Sequence, residues 1–116
     1  MPQVPSSVPL EVDVQETKRL MAEKGAGLRL VDVRDPDEHE FCRLPGSELI
    51  PLPTLPSDAA AKLSDKDADI IVYCHHGMRS LQAVNQLREL GYPNARSMSG
   101  GIDEWSQEID STVRRY

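Results

Sequence analysis

Cys74-His75-His76-Gly77-Met78-Arg79, with Ser80 behind them, set a thiol, two imidazoles and a guanidinium in one short segment. The apolar run Ile70-Ile71-Val72-Tyr73 precedes it, and Leu81, Val84, Leu87 and Leu90 follow at helical spacing. This order predicts a strand that delivers Cys74 into a tight loop opening onto a helix N-terminus. Such a terminus offers unpaired N–H groups and the positive end of the helix dipole. Thiols in that setting ionise more readily than free ones. The same donors can cradle an anionic group attached to the sulfur. The chemistry indicated is that of a nucleophilic cysteine that attacks or carries something anionic.

The neighbours refine this reading. Gly77 lets the loop turn tightly and lets backbone approach a bound group. Arg79 supplies a fixed cation with a planar donor fork, in a position where a merely structural cation would oppose the helix dipole. His75 and His76 either tune the thiolate, bind a substrate anion or act in acid/base chemistry, or else lend the loop only their N–H groups. Adjacent ligands in one tight turn rarely share a tetrahedral metal, so no zinc site is expected from Cys74, His75 and His76. Asp32 and Arg34 alternate on a second strand and so share one side of it. Asp32 is expected to orient the reactive loop and Arg34 to pair with Glu38 or Glu40, or else the two form a solvated pair at the strand end. Cys42 has no cradle of its own and reads as packing rather than as a resolving thiol.

The elements that must position these groups follow from local signals. Leu10 to Val12 predict a short strand. Asp13 with Glu16 predicts a helix start, and Gly25 a stop after Lys24. Leu28 to Val33 predict a buried strand. Asp35-Pro36 opens a short helix through Phe41. A short strand is expected at Leu49-Ile50, a helix capped by Ser57 through Leu63, a helix from Ser80 to Leu90, a weak strand over 96–98 and a last helix from Ile102 to about Ile109. Strands alternating with helices indicate an α/β fold with a mostly parallel sheet, whose ligands bind beyond the carboxyl ends of the strands.

Composition bounds the rest. A chain of 116 residues suits one domain. The net charge of −6 argues against nucleic-acid or membrane-surface binding. No apolar run approaches the roughly 20 residues of a membrane span, and the opening Met1-Pro2-Gln3-Val4 predicts no signal peptide. Two cysteines cannot build a disulfide framework and fit a reducing, cytoplasmic setting.

Taken together these residues resemble the rhodanese family of sulfurtransferases, over about Leu10 to Ile109. The marks run Val31-Asp32-Val33-Arg34, Pro36 and Glu38, Leu44-Pro45-Gly46-Ser47, Ile50-Pro51-Leu52, Val72-Tyr73-Cys74 with Gly77, Arg79 and Ser80, Leu90-Gly91-Tyr92, and Gly100-Gly101-Ile102 with Trp105. The resemblance implies a bacterial-type single domain over residues 10–110, with a flexible lead-in over 1–9 and a tail over 111–116. It implies a three-layer α/β fold with a five-stranded, mostly parallel sheet flanked by helices. It implies that Cys74 takes sulfane sulfur as a persulfide and passes it to a thiophilic acceptor, helped by Arg79. His75, His76, Gly77, Met78 and Ser80 would form the persulfide-binding loop, with Asp32 and Arg34 supporting. No metal or organic cofactor is implied. The donor would be thiosulfate or a persulfidated protein, although the loop lacks the basic residues that thiosulfate-using relatives carry after cysteine. Phe41 to Gly46 and the acidic-aromatic ending look like rhodanese domains associated with ubiquitin-like and molybdopterin-synthase activating enzymes. That likeness implies a sulfur-carrier protein or activating enzyme as partner. Two alternatives share the fold. Cysteine phosphatases carry five residues between cysteine and arginine, whereas four stand here, His75 to Met78. Non-catalytic interaction modules lack the nucleophile, which this chain has.

Overall fold

Five short strands carry the apolar runs: β1 (Glu11–Val12), β2 (Leu28–Asp32), β3 (Glu48–Leu49), β4 (Asp69–Tyr73) and β5 (Ala95–Met98). They form one sheet in the order β1-β5-β4-β2-β3 in a computed structural model that describes residues 8–116. Most of the expected lead-in lies outside the described residues. All four strand pairings are parallel. β4 therefore lies mid-sheet, between β2 and β5. Ile70, Ile71, Val72 and Tyr73 are all fully buried, which explains why this strand reads as a continuous apolar run rather than an alternating one.

Alternation of side chains along β4 splits the core in two. Ile70, Val72 and Cys74 join Val31, Val33 and Leu87 on one face. Ile71 and Tyr73 join Leu30, Leu44, Met98 and Trp105 on the other. The first face is covered by α3 (Leu55–Lys62) and α4 (Met78–Glu89), the second by α1 (Val14–Lys24) and α5 (Gly101–Glu108). This gives the expected three layers. Truncating a fully buried side chain such as Leu87 to alanine would cost about 2–5 kcal/mol.

Local chemistry sets the boundaries. Asp13 Oδ1 accepts from the Glu16 N–H at 2.7 Å and starts α1, and Gly25 ends it at φ 50°. Asp35 and Pro36 open α2 (Pro36–Phe41), with the Glu38 carboxylate accepting the Asp35 N–H at 3.0 Å. Several boundaries differ from the sequence expectation; α4, for one, begins at Met78, two residues ahead of Ser80. α3 starts at Leu55, ahead of Ser57, because Pro56 fits a first helical turn, where its missing N–H is no loss. A 3-10 turn over Leu52–Thr54 leads into it. The short edge strand is Glu48–Leu49 rather than Leu49-Ile50.

Candidate active site

The reactive segment begins where β4 ends. Cys74 is 1% exposed. The chain turns at Gly77, whose φ of 110° is accessible to glycine and costly for other residues. α4 starts at the next residue, so the sulfur lies at its positive end. The N–H of Gly77 donates to Cys74 Sγ at 3.1 Å and that of Ser80 at 3.3 Å. The Ser80 hydroxyl lies 3.5 Å from the sulfur, donates to Gly77 O at 3.1 Å and contacts Ser97 Oγ at 2.7 Å. Of the loop's main-chain donors, those of Gly77 and Ser80 are therefore the ones aimed at the sulfur.

A second helix N-terminus holds the other side of the loop. The Ile102 N–H donates to Cys74 O at 2.9 Å and the Asp103 N–H to His75 O at 3.1 Å. The first turn of α5 thus engages the Cys74 and His75 carbonyl oxygens on the side of the loop away from the Gly77 and Ser80 donors. Gly100-Gly101 makes this docking possible. In the sequence that pair is visible only as one of the marks of the family resemblance.

Arg79 does not extend an unengaged fork. Its Nη1 and Nη2 donate to Glu38 Oε1 and Oε2 at 2.7 and 3.0 Å. Glu38 also accepts the Asp35 N–H and, at 2.7 Å, the Tyr116 hydroxyl. The Arg79 guanidinium, foremost among these donors, pulls the Glu38 carboxyl down to about 2. Sequence reasoning assigns Glu38 to Arg34 and misses this link. Its available signal is Glu38's place in the first turn of α2, which faces the carboxyl ends of the strands.

Asp32 and Arg34 are fully buried, and neither expectation for them holds. Asp32 does not touch the reactive loop, and Arg34 pairs with neither Glu38 nor Glu40. Arg34 Nε and Nη2 instead clasp Asp32 Oδ1 and Oδ2 at 2.8 and 2.7 Å. His39 Nδ1 meets Asp32 Oδ2 at 2.8 Å. Arg34 also donates to Cys42 O and to the Tyr116 hydroxyl. The pair faces the Tyr73 side of the sheet, where it ties β2 to the end of α2. A buried charge needs such a partner. Cys42 packs on that same side, in the opposite core from Cys74.

His75 is partly buried and His76 exposed, their rings 4.0 Å apart. Burial keeps His75 below the usual histidine range, with His76 acting in the same direction and Asp103 opposing. Met78 is 85% exposed at the loop tip. With His76, Gly77, Gln82 and Asn85 it lines a surface groove of about 460 Å³. Tyr116 is unforeseen by the sequence: its ring stacks on His75 at 3.9 Å and 8°.

Comparison with known proteins gives one answer. Residues 13–108 match the family described as Rhodanese-like domain. Thiosulfate sulfurtransferase GlpE of Pseudoalteromonas translucida is 33% identical over 88 residues, covering 74% of this chain and 80% of that protein. The probable adenylyltransferase/sulfurtransferase MoeZ of Mycobacterium tuberculosis is 30% identical over 94 residues, or 81% of this chain, but the chain spans only 24% of MoeZ. The structure of the human single-domain sulfurtransferase TSTD1 superposes with a TM-score of 0.78 at 29% identity, covering 86% of this chain and 97% of that one.

Proposed function

The chain belongs to the rhodanese-like domain family, and from that premise we propose that it is a sulfurtransferase working through a persulfide on Cys74. In the first half-reaction the Cys74 thiolate attacks the sulfane sulfur of a donor. The donor's S–S bond breaks, a Cys74–sulfur bond forms, and sulfite or the donor's own thiolate leaves with the electron pair. In the second, an acceptor nucleophile attacks the outer sulfur and Cys74 leaves as thiolate. With cyanide as acceptor the product is thiocyanate. The scheme is ping-pong and needs no external oxidant or reductant.

The observation that carries this reading is the pair of N–H groups, from Gly77 and Ser80, aimed at Cys74 Sγ at the start of α4. They favour the Cys74 thiolate, the form that attacks the donor in the first half-reaction and leaves in the second. The four-residue spacing between Cys74 and Arg79 favours one sulfur over a tetrahedral phosphate. The joint adenylyltransferase and sulfurtransferase description of MoeZ supports a finer reading of the acceptor. There the terminal sulfur of the persulfide would itself be the nucleophile. It attacks the adenylated C-terminal carboxylate of a small sulfur-carrier protein, and AMP leaves. A further thiol then cleaves the Cys74–S–S–acyl link, freeing the thiocarboxylate as a disulfide forms with Cys74. The sulfur donor would be a persulfidated protein or thiosulfate.

Intact-mass measurement tests the proposal. After incubation with thiosulfate, or separately with a persulfidated cysteine desulfurase, the protein should gain the mass of one sulfur atom and lose it to cyanide as thiocyanate. Cys74→Ser should gain nothing while keeping its circular dichroism, because a hydroxyl cannot form a persulfide. Full loading of folded Cys74→Ser, or no loading of the wild type from either donor, would overturn it.

A further inference from the structure

Beyond α5 the chain forms no regular helix or strand, yet it stays on the body of the protein. Val113 packs partly against the core, and its carbonyl accepts from Ser106 Oγ at 2.8 Å. Arg115 Nε reaches Asp103 Oδ1 at 2.9 Å. The Arg114 guanidinium lies over the Phe41 ring at 4.1 Å. These contacts bring Tyr116 across the reactive loop. Its ring is parallel to His75, the residue after Cys74. Its edge meets Phe41 at 5.8 Å. Its hydroxyl accepts from Arg34 Nη1 at 2.9 Å and donates to the same Glu38 oxygen that Arg79 Nη2 uses.

Two features make this a cover rather than a wall. Arg115 in its ion pair with Asp103 is 58% exposed, and Arg114 holds the strap only by a cation–π contact to the exposed Phe41 ring. Both kinds of surface contact are weak, and the ion pair is screened by salt. A cavity of about 250 Å³, bounded by Asp37, Glu38, Phe41 and Tyr116, lies beside the ring and gives it room to move. Cys74, next in the chain to the His75 ring that Tyr116 covers, is itself closed off from solvent. We propose that the segment from Asp110 to Tyr116 is a strap, and that the Tyr116 ring sets the size of the sulfur donor or acceptor that reaches Cys74. With the strap down, small anions such as thiosulfate and cyanide pass. A bulky partner, such as a protein persulfide or the end of a carrier chain, must lift Tyr116 from His75 and Glu38.

The inference rests on Cys74 being the reacting atom, and its test uses no sulfur transfer. Cys74 is alkylated with iodoacetamide and, separately, with N-(1-pyrenyl)maleimide, and its labelling is separated from that of Cys42 by peptide mass. Tyr116→Ala should raise the pyrenyl rate at Cys74 at least tenfold and the iodoacetamide rate less than threefold. Tyr116→Phe keeps the ring but loses both hydroxyl contacts, so it should fall between wild type and Tyr116→Ala. The double variant Arg114→Ala/Arg115→Ala, which leaves the loop untouched, should also favour the large probe. Equal pyrenyl rates in wild type and Tyr116→Ala would overturn the strap. So would a rise by the same factor for both probes, because that reports a change in thiol reactivity rather than in access. Either failure would leave the persulfide reading standing, since mass gain from thiosulfate is measured independently.

Discussion

Gly101 lies against His75 so closely that a Cβ on Gly101 would sit 2.3 Å from the His75 carbonyl oxygen and 2.6 Å from that of Cys74. Both obstacles are main chain, and Gly101 has φ of 63°. This contact is what lets α5 dock on the reactive loop.

Gly101→Ala should therefore push α5 off the loop and lose the Ile102–Cys74 and Asp103–His75 hydrogen bonds. We expect destabilisation of about 2 kcal/mol or more from backbone strain and displacement, read by urea denaturation. Sulfur loading should fall further than stability explains. An alanine variant with wild-type stability and loading would show that the docking is dispensable.

Arg79→Ala should slow thiosulfate loading at least tenfold, about 1.4 kcal/mol of barrier, and Arg79→Lys should restore only part, because a point charge cannot reproduce a planar fork. Wild-type loading should also slow as salt rises. The grip of Arg79 on Glu38 allows a sharper comparison. If Arg79 steers the donor, Glu38→Gln loosens the fork and loading is preserved or faster. A loss in Glu38→Gln equal to that in Arg79→Ala would assign Arg79 to holding the loop instead.

The Glu38–Arg79 pair also predicts an acid profile. The Glu38 carboxyl is held at about 2, below its unfolded value. The pair's contribution is thus complete above the ordinary glutamate range near pH 4.5 and lost as pH falls through about 2. Wild type should exceed Glu38→Gln in stability by about 1–2 kcal/mol at pH 6, a modest figure because Arg79 is 35% exposed. The gap should narrow below pH 4.5 and close towards pH 2. A gap that stays constant down to pH 2 would refute this account of Glu38.

Cys42→Ser should keep most single-turnover loading. Cys42 and Cys74 belong to opposite cores, separated by the sheet, so they cannot form an intramolecular disulfide without unfolding. A serine hydroxyl can still accept from Arg34, whose Nη1 now lies 3.7 Å from the Cys42 sulfur. Loss of persulfide formation as complete as in Cys74→Ser would instead demand a two-cysteine relay.

The parts of this fold legible in the sequence are those that local physics decides. Ile70 to Tyr73 announce a buried strand because a mid-sheet parallel strand needs apolar residues on both faces. Asp13 and Asp35-Pro36 announce helix starts because their own side chains or rings make the caps. Cys74 stands out because a strand, a glycine and a helix start surround it. What stays hidden depends on distant pairings. Glu38 meets Arg79 across 41 residues of sequence, and Tyr116 reaches Arg34 across 82. Asp32 and Arg34 look like a solvated pair because charge alone does not report burial. Each neutralises the other, and that mutual compensation is invisible in composition.

The clasp of α5 on the Cys74 loop has a consequence for synthesis. A ribosome releases residue 74 well before residues 101 to 103, which supply the donors for its carbonyl and for that of His75. β5, which pairs with both β1 and β4, also comes late. The nascent chain thus carries Cys74 with its local donors Gly77 and Ser80 before the clasp on the Cys74 and His75 carbonyls exists, and that clasp closes only as α5 docks.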